Sequence, residues 1–327
     1  MPDMRMTTLL RCLATPLLLL PFTLHAETDT ALQDAVTKIA AAHHGHVAVF
    51  ATNAQTGQTI AVDADEPVQT ASVIKLALLY ETMRQIRAGQ AHWEDPVVLT
   101  KENQTGGSGV LGFFDTPVTL TLKDAIFMMV AVSDNTGTNL VIDKTGLKAT
   151  DDELQRLGLK DTWLYKKVGK PATGLMPADQ PKFGLGKTTA REITSLMQRI
   201  VTCQLGDKPG VPDAQDRAIC SVTLNMLRSQ FYRDGVPRFI EPVDSSEEGS
   251  AIASKTGALD DVRNDVDAIA TKNGLIFLSV FTWDNKDQSW EDDNEAYLTA
   301  AKIGKAVVDA WSGGGLDVKA FEIPETK

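Results

Sequence analysis

Histidine, the commonest side-chain base, is scarce: five occur in 327 residues, at positions 25, 43, 44, 46 and 92. A Ser-His-Asp arrangement therefore has little support. No G-x-S-x-G elbow is present either, since GGSGV at 106–110 lacks the final glycine. FGLGKTT at 183–189 ends like a phosphate-binding loop, but Pro181 stands where such a loop needs its first glycine, which excludes that reading. Beyond residue 26 no apolar run reaches the roughly 18 residues that cross a bilayer, so no membrane anchor is expected. Cationic residues are outnumbered, 32 Lys and Arg against 43 Asp and Glu, and the net charge of −11 argues against nucleic acid as a partner. Cysteine is nearly absent, with three in the chain.

Residues 1–26 read as an export signal: Arg5 and Arg11 precede or interrupt a short apolar run, and Leu24-His25-Ala26 offers a small residue for cleavage. The product is expected in the periplasm or outside the cell. Loss of Arg5, Arg11 and Asp3 takes the charge from −11 to −12 on about 301 residues, enough for one large domain or two lobes. Cys12 leaves with the signal. Cys203 and Cys220 remain, an even pair in an oxidising compartment, and a disulfide between them is favoured over a metal site. HHGH at 43–46 has no cysteine or carboxylate partners nearby and reads as a solvated turn.

Alternating apolar and polar residues in HVAVFATNA and QTIAVDAD, around Thr56-Gly57, predict a hairpin. VRNDVDAIA and LIFLSVFTW flank Asn273-Gly274 and predict a second, with SAIASKTGA a plausible fifth strand. Helices are expected at about 29–42 and 293–311, the latter ended by SGGG. The middle of the chain, about 72–230, looks mostly helical, with a capping box at Thr121 to Asp124 and periodic stretches near 188–203 and 213–229. The expected fold is mixed α/β: a five-stranded antiparallel sheet built from both chain ends (27–71 and about 232–312), with helices against it. An all-helical lobe (about 72–231) is inserted, and 313–327 forms a tail. A cleft belongs at the junction of sheet and lobe.

TASVIKL at 70–76 carries the chemistry. If Ser72 begins a helix, Lys75 lies one turn on, on the same face, and its amine can serve as base once burial or a neighbouring cation makes it neutral. The helix start also supplies N–H groups for an oxyanion. Alone, S-x-x-K is weak and is equally a capping serine beside a solvated lysine. Two further motifs follow in order: Ser133-Asp134-Asn135, 61 residues after Ser72, and Lys255-Thr256-Gly257, another 122 on. Singly, each has a bland reading, a helix start or a strand end; together they are hard to assign to chance.

With these motifs the chain resembles class A β-lactamases and their relatives, the penicillin-recognising serine enzymes, over nearly all of the mature sequence. The resemblance implies Ser72 as the acylated nucleophile, Lys75 as its base or relay, and Ser133 as a second relay to the leaving nitrogen. It implies that Asn135 holds the substrate's side-chain amide, that Lys255 and Thr256, ahead of Gly257, bind the carboxylate, and that the N–H groups of Ser72 and Ala258 form the oxyanion hole. Asp134 is expected to brace its loop. No cofactor or metal is implied. The substrate is a small β-lactam or a D-alanyl peptide, and a monomer is expected.

One departure bears on mechanism. The family's glutamate, which activates the deacylating water, should lie within residues 161–189, and that stretch contains no glutamate. Its acids are Asp161 and Asp179; Asp179 is the candidate substitute base, against the simpler reading of a loop-surface aspartate. The leading expectation is an exported β-lactamase-like serine hydrolase with slow deacylation. The alternatives are a D-alanyl peptidase or penicillin-binding protein, a serine esterase, and, with least support, a non-turnover sensor of β-lactams or muropeptides.

Overall fold

The computed structural model describes residues 27–174, 176–206, 210–240 and 249–323. The expected signal at 1–26 and the last four residues of the tail lie outside the described residues. The chain opens with helix α1 (Thr30–Ala41), capped by the Asp29 carboxylate on the Leu32 N–H, and the hairpin β1 (His46–Asn53) and β2 (Thr59–Val62). The Asn53 side chain closes that hairpin by accepting from the N–H groups of Gln55 and Thr56 at 2.9 and 3.1 Å. Next come β3 (Val68–Gln69), α2 (Lys75–Arg87), the pair β4 (Pro96–Leu99) and β5 (Val118–Thr121), and α3 (Leu122–Ala131). α4 (Asn135–Thr145), α5 (Leu147–Arg156), β6 (Trp163–Leu164), α6 (Gln180–Phe183), β7 (Gly186–Thr188), α7 (Ala190–Val201) and α8 (Ala214–Arg228) complete the middle. Three long strands, β8 (Ile252–Leu259), β9 (Val262–Thr271) and β10 (Gly274–Trp283), lead into α9 (Glu295–Trp311).

The main sheet runs β2-β1-β10-β9-β8, antiparallel throughout, so strands from both ends of the sequence meet where β1 pairs with β10. Asn273-Gly274 makes the β9–β10 turn, with Gly274 at φ +88°, a conformation glycine adopts without strain. Both faces of the sheet are covered. α1 and α9 seal one with Val36, Ile303, Val307 and Trp311, while α7 and the α2-centred lobe seal the other with Leu76, Leu79, Ile193 and Met197. Every residue of β9 is consequently buried, although its sequence alternates. The polar positions Asn264, Asp265 and Asp267 thus face protein where a one-sided sheet would offer water.

Two expectations need correction. The middle segment is not purely helical: it carries β4 with β5, and β7 between β3 and β6, each strand only two to four residues long and too short to leave a periodic signal. The HHGH turn is not wholly solvated. His43 is buried, its Nε2 sharing a 2.9 Å hydrogen bond with Asn285 and its Nδ1 one of 3.2 Å with Thr299, because α9 packs over the turn.

Candidate active site

Ser72 sits in a tight 3-10 turn, Ala71–Ile74, that passes directly into α2 at Lys75. Ala71 has φ +45°, a left-handed conformation that costs a non-glycine residue about 1 kcal/mol or more, so the surroundings must hold it. They do so from two strands. Thr70 donates its N–H to the Gly186 carbonyl of β7 at 3.1 Å, and the Asn264 amide of β9 donates to the carbonyls of Gln69 and Thr70 at 2.9 and 3.2 Å. Edge strand β8 closes on the same turn. A Cβ on Gly257 would come within 2.6 Å of the Thr70 carbonyl and 2.9 Å of the Ser72 nitrogen, which is why glycine is needed there.

The second motif lies between α3 and α4. Ser133 is buried and also left-handed, at φ +54°. Asp134 caps α4 through the Gly137 N–H at 2.7 Å, and its other oxygen accepts from Val110 and Leu111 at 2.6 and 2.8 Å, bracing the loop as expected. Asn135 donates its amide to the Gly106 carbonyl at 3.0 Å.

Two buried lysines converge on Ser133. Lys75 Nζ donates to the Ser133 carbonyl at 2.7 Å, to Ser133 Oγ at 3.1 Å and to Asn135 Oδ1 at 3.0 Å. Lys255 Nζ donates to the same Oγ at 3.1 Å and to the Thr256 carbonyl at 2.8 Å. A hydroxyl that accepts twice keeps its own proton free for a third partner. Burial, then the Lys255 charge, hold the Lys75 amine well below the usual lysine range, against the opposing pull of Asp134. Burial alone brings Lys255 down to about 7, with Asp265 opposing the shift. No hydrogen bond from Lys75 to Ser72 Oγ is formed among the described residues; the Lys75 Nζ lies instead against Ser133 and Asn135.

A cavity of about 990 Å³ opens over this constellation and is lined by Ser72, Ser133, Asn135, Thr256, Gly257 and Ala258, the residues singled out in the sequence. Lys75 and Lys255 lie buried behind that wall. Asp179 is not part of it; its carboxylate is 3.1 Å from Lys187 Nζ. The 161–189 loop instead contributes Lys166, Val168, Gly169, Gly184 and Leu185. Asn139 fixes that stretch, donating to the Val168 carbonyl at 3.0 Å and accepting from its N–H at 2.9 Å. Val168, Tyr232, Asp234, Arg263 and Trp290 line the cavity without any motif that could have marked them. Away from the site, Cys203 and Cys220 form the expected disulfide, with Cα atoms 5.7 Å apart.

A family model described as the beta-lactamase enzyme family matches residues 31–311. The chain is 22% identical over 250 residues to the beta-lactamase regulatory protein BlaB of Streptomyces cacaoi, covering 68% of this chain and 79% of that one. A solved beta-lactamase from Sphaerobacter thermophilus DSM 20745 is 28% identical and superposes with a TM-score of 0.72 over 86% of this chain and 97% of its own. A mutant of PBP-A, solved as an acyl-enzyme complex with penicillin G, is 18% identical with a TM-score of 0.70 over 87% and 97%, a likeness that speaks to fold alone.

Proposed function

The chain belongs to the beta-lactamase enzyme family, and from that premise we propose that it is an exported serine hydrolase that opens β-lactam amides through an acyl-Ser72 intermediate and releases the acyl group slowly. The observation that carries the reading is the Ser133 hydroxyl, held at 3.1 Å by each of two buried lysines beside the cavity that Ser72 lines. Ser72 Oγ attacks the carbonyl carbon while its proton passes to a neutral Lys75. The C–N bond then breaks, and the departing nitrogen takes a proton from Ser133, which Lys75 replenishes. The N–H groups of Ser72 and Ala258 receive the oxyanion, Asn135 holds the side-chain amide, and Lys255 with Thr256 receives the carboxylate.

Slow deacylation rests on the loop wall. Val168, held by Asn139, faces the cavity, and no carboxylate of residues 161–189 lines it. Loss of a general base lowers a rate by about 10² to 10⁴. This reading gives Asp179, paired with Lys187, no part in the chemistry.

The test incubates the protein and Ser72→Ala with benzylpenicillin, following intact mass and ring opening together. A long-lived adduct on wild type alone is expected, and it would also suit a D-alanyl peptidase. Fast ring opening without a lasting adduct overturns the slow step. Absence of both removes β-lactams as substrates and leaves the esterase reading.

A further inference from the structure

The stretch 161–189 that walls one side of the cavity is basic. It carries five lysines and two aspartates, in a chain where acids outnumber bases 43 to 32. Four of these lysines are engaged by the protein. Lys167 pairs with Asp143, Lys170 donates to the Glu102 carbonyl at 3.4 Å, and Lys182 lies 5.0 Å from the centre of the Phe183 ring. Lys187 takes both carboxylates of the stretch, Asp179 at 3.1 Å and Asp161 at 3.6 Å. The fifth, Lys166, is half-buried and lines the cavity, and its ammonium has no ion pair or hydrogen bond among the described residues. A charge partly withdrawn from water costs free energy unless an opposite charge meets it.

A second unpartnered group stands at the same end. Gln69, three residues before Ser72, also lines the cavity, and its side-chain amide makes no hydrogen bond among the described residues. The backbone brings the two together through β7 and the residues before it: Gln69 pairs with Lys187, while Tyr165, next to Lys166, donates its N–H to the Leu185 carbonyl at 3.0 Å. Gly184 makes room for the amide, since a Cβ there would lie 2.8 Å from Gln69 Nε2. Asn135 places this end on the acyl side of the bond that is broken. It holds the acyl amide in the reading above, and Asn139, one helical turn later on the same face of α4, grips Val168, two residues after Lys166.

We propose that Lys166 and the Gln69 amide form a subsite for a carboxylate carried on the acyl part of the donor, so that the preferred substrates are β-lactams with an anionic acyl chain. The inference rests on the acyl-Ser72 reading above. It describes a ligand with two negative charges, one carboxylate received by Lys255 and Thr256 and the other by Lys166 and Gln69.

Three penicillins made by acylating 6-aminopenicillanic acid with adipate, its monomethyl ester or 6-aminohexanoate test it, because they share a flexible chain and differ in the charge at its end. The quantity read is the second-order rate constant for acylation of Ser72, by intact mass at low salt. The carboxylate compound is expected to lead its methyl ester by about tenfold and the ammonium compound to trail. Added salt should shrink the lead. Lys166→Gln should bring the acid-to-ester ratio close to one, Gln69→Ala should lower it in the same direction, and Lys166→Glu should invert the order so that the ammonium compound leads. Each ratio is internal to one protein, so a general loss of activity in a variant cancels. Equal acylation by acid and ester in the wild type, or a ratio unmoved in Lys166→Gln or Gln69→Ala, overturns the subsite and leaves the acyl-Ser72 reading standing. Acylation by none of the three, nor by benzylpenicillin, overturns the acyl-Ser72 reading, and the subsite falls with it.

Discussion

At the scale of single residues, the site is a problem of two positive charges near one hydroxyl. Lys75 and Lys255 each reach Ser133 Oγ at 3.1 Å, and neither has a carboxylate within ion-pair distance among the described residues. Burial resolves the conflict by favouring the neutral amines, which is what a base at position 75 requires. A charged Lys255 is needed for an anionic substrate, and its value of about 7 sets the pH dependence. The second-order acylation rate for benzylpenicillin should therefore fall as pH rises through about 7, whereas an uncharged ester should show no such limb; identical profiles for the two would refute the role of Lys255. Val168 supplies a second prediction. Val168→Glu places a carboxylate on the cavity wall, and deacylation of the penicilloyl adduct should quicken by about 10² or more, read as a shorter adduct lifetime by mass. Ser72, Lys75, Ser133, Asn135 and Lys255 were legible because residue type and spacing together are specific. Val168 and Asp234 were not, since a valine or an aspartate on a loop carries no pattern.

Among elements, the helix expected to begin at Ser72 begins as a 3-10 turn, and the α-helix starts only at Lys75. Spacing alone could not distinguish the two, because both put residue i+3 near residue i. The distinction is made by β8, whose Gly257 presses the Ser72 backbone, and by β7 and β9, which grip Gln69 and Thr70. The capping box Thr121–Asp124 was readable from four residues and is present. The disulfide joins the end of α7 to α8 across a separation of 17 residues. A loop of that size corresponds to about 3 kcal/mol, so Cys203→Ser with Cys220→Ser should lower the urea-derived unfolding free energy by about 2 to 4 kcal/mol. A change under about 0.5 kcal/mol would show that α7 and α8 are held by their packing alone.

Across the whole molecule, sealing the sheet on both faces buries Asp265 and Asp267 beside the edge strand that bears Lys255. Burial pushes Asp265 up to about 7, and burial with the Asp265 charge holds Asp267 well above the carboxylate range. Between about pH 4 and 7 the folded chain keeps a proton on Asp265 that the unfolded chain has lost, so this group makes stability fall as pH rises across that window. Lys255 acts oppositely: from about 7 to about 10.4 the unfolded chain binds the extra proton, and stability rises with pH. Asp265→Asn should flatten the decline between pH 5 and 7 by up to about 1.4 kcal/mol per pH unit in denaturant titrations; an unchanged slope would mean that Asp265 is ionised in the folded state. By itself the sequence determined the hairpins, the terminal helices, the disulfide pair and the three motifs, since each depends on local periodicity, turn chemistry or a fixed spacing. Only the tertiary structure decided that β1 is the strand that pairs with β10, that every residue of β9 is buried, and that Lys75 addresses Ser133 and not Ser72. Those outcomes depend on contacts between residues far apart in the chain, and on burial, which fixes the charge a lysine or an aspartate carries.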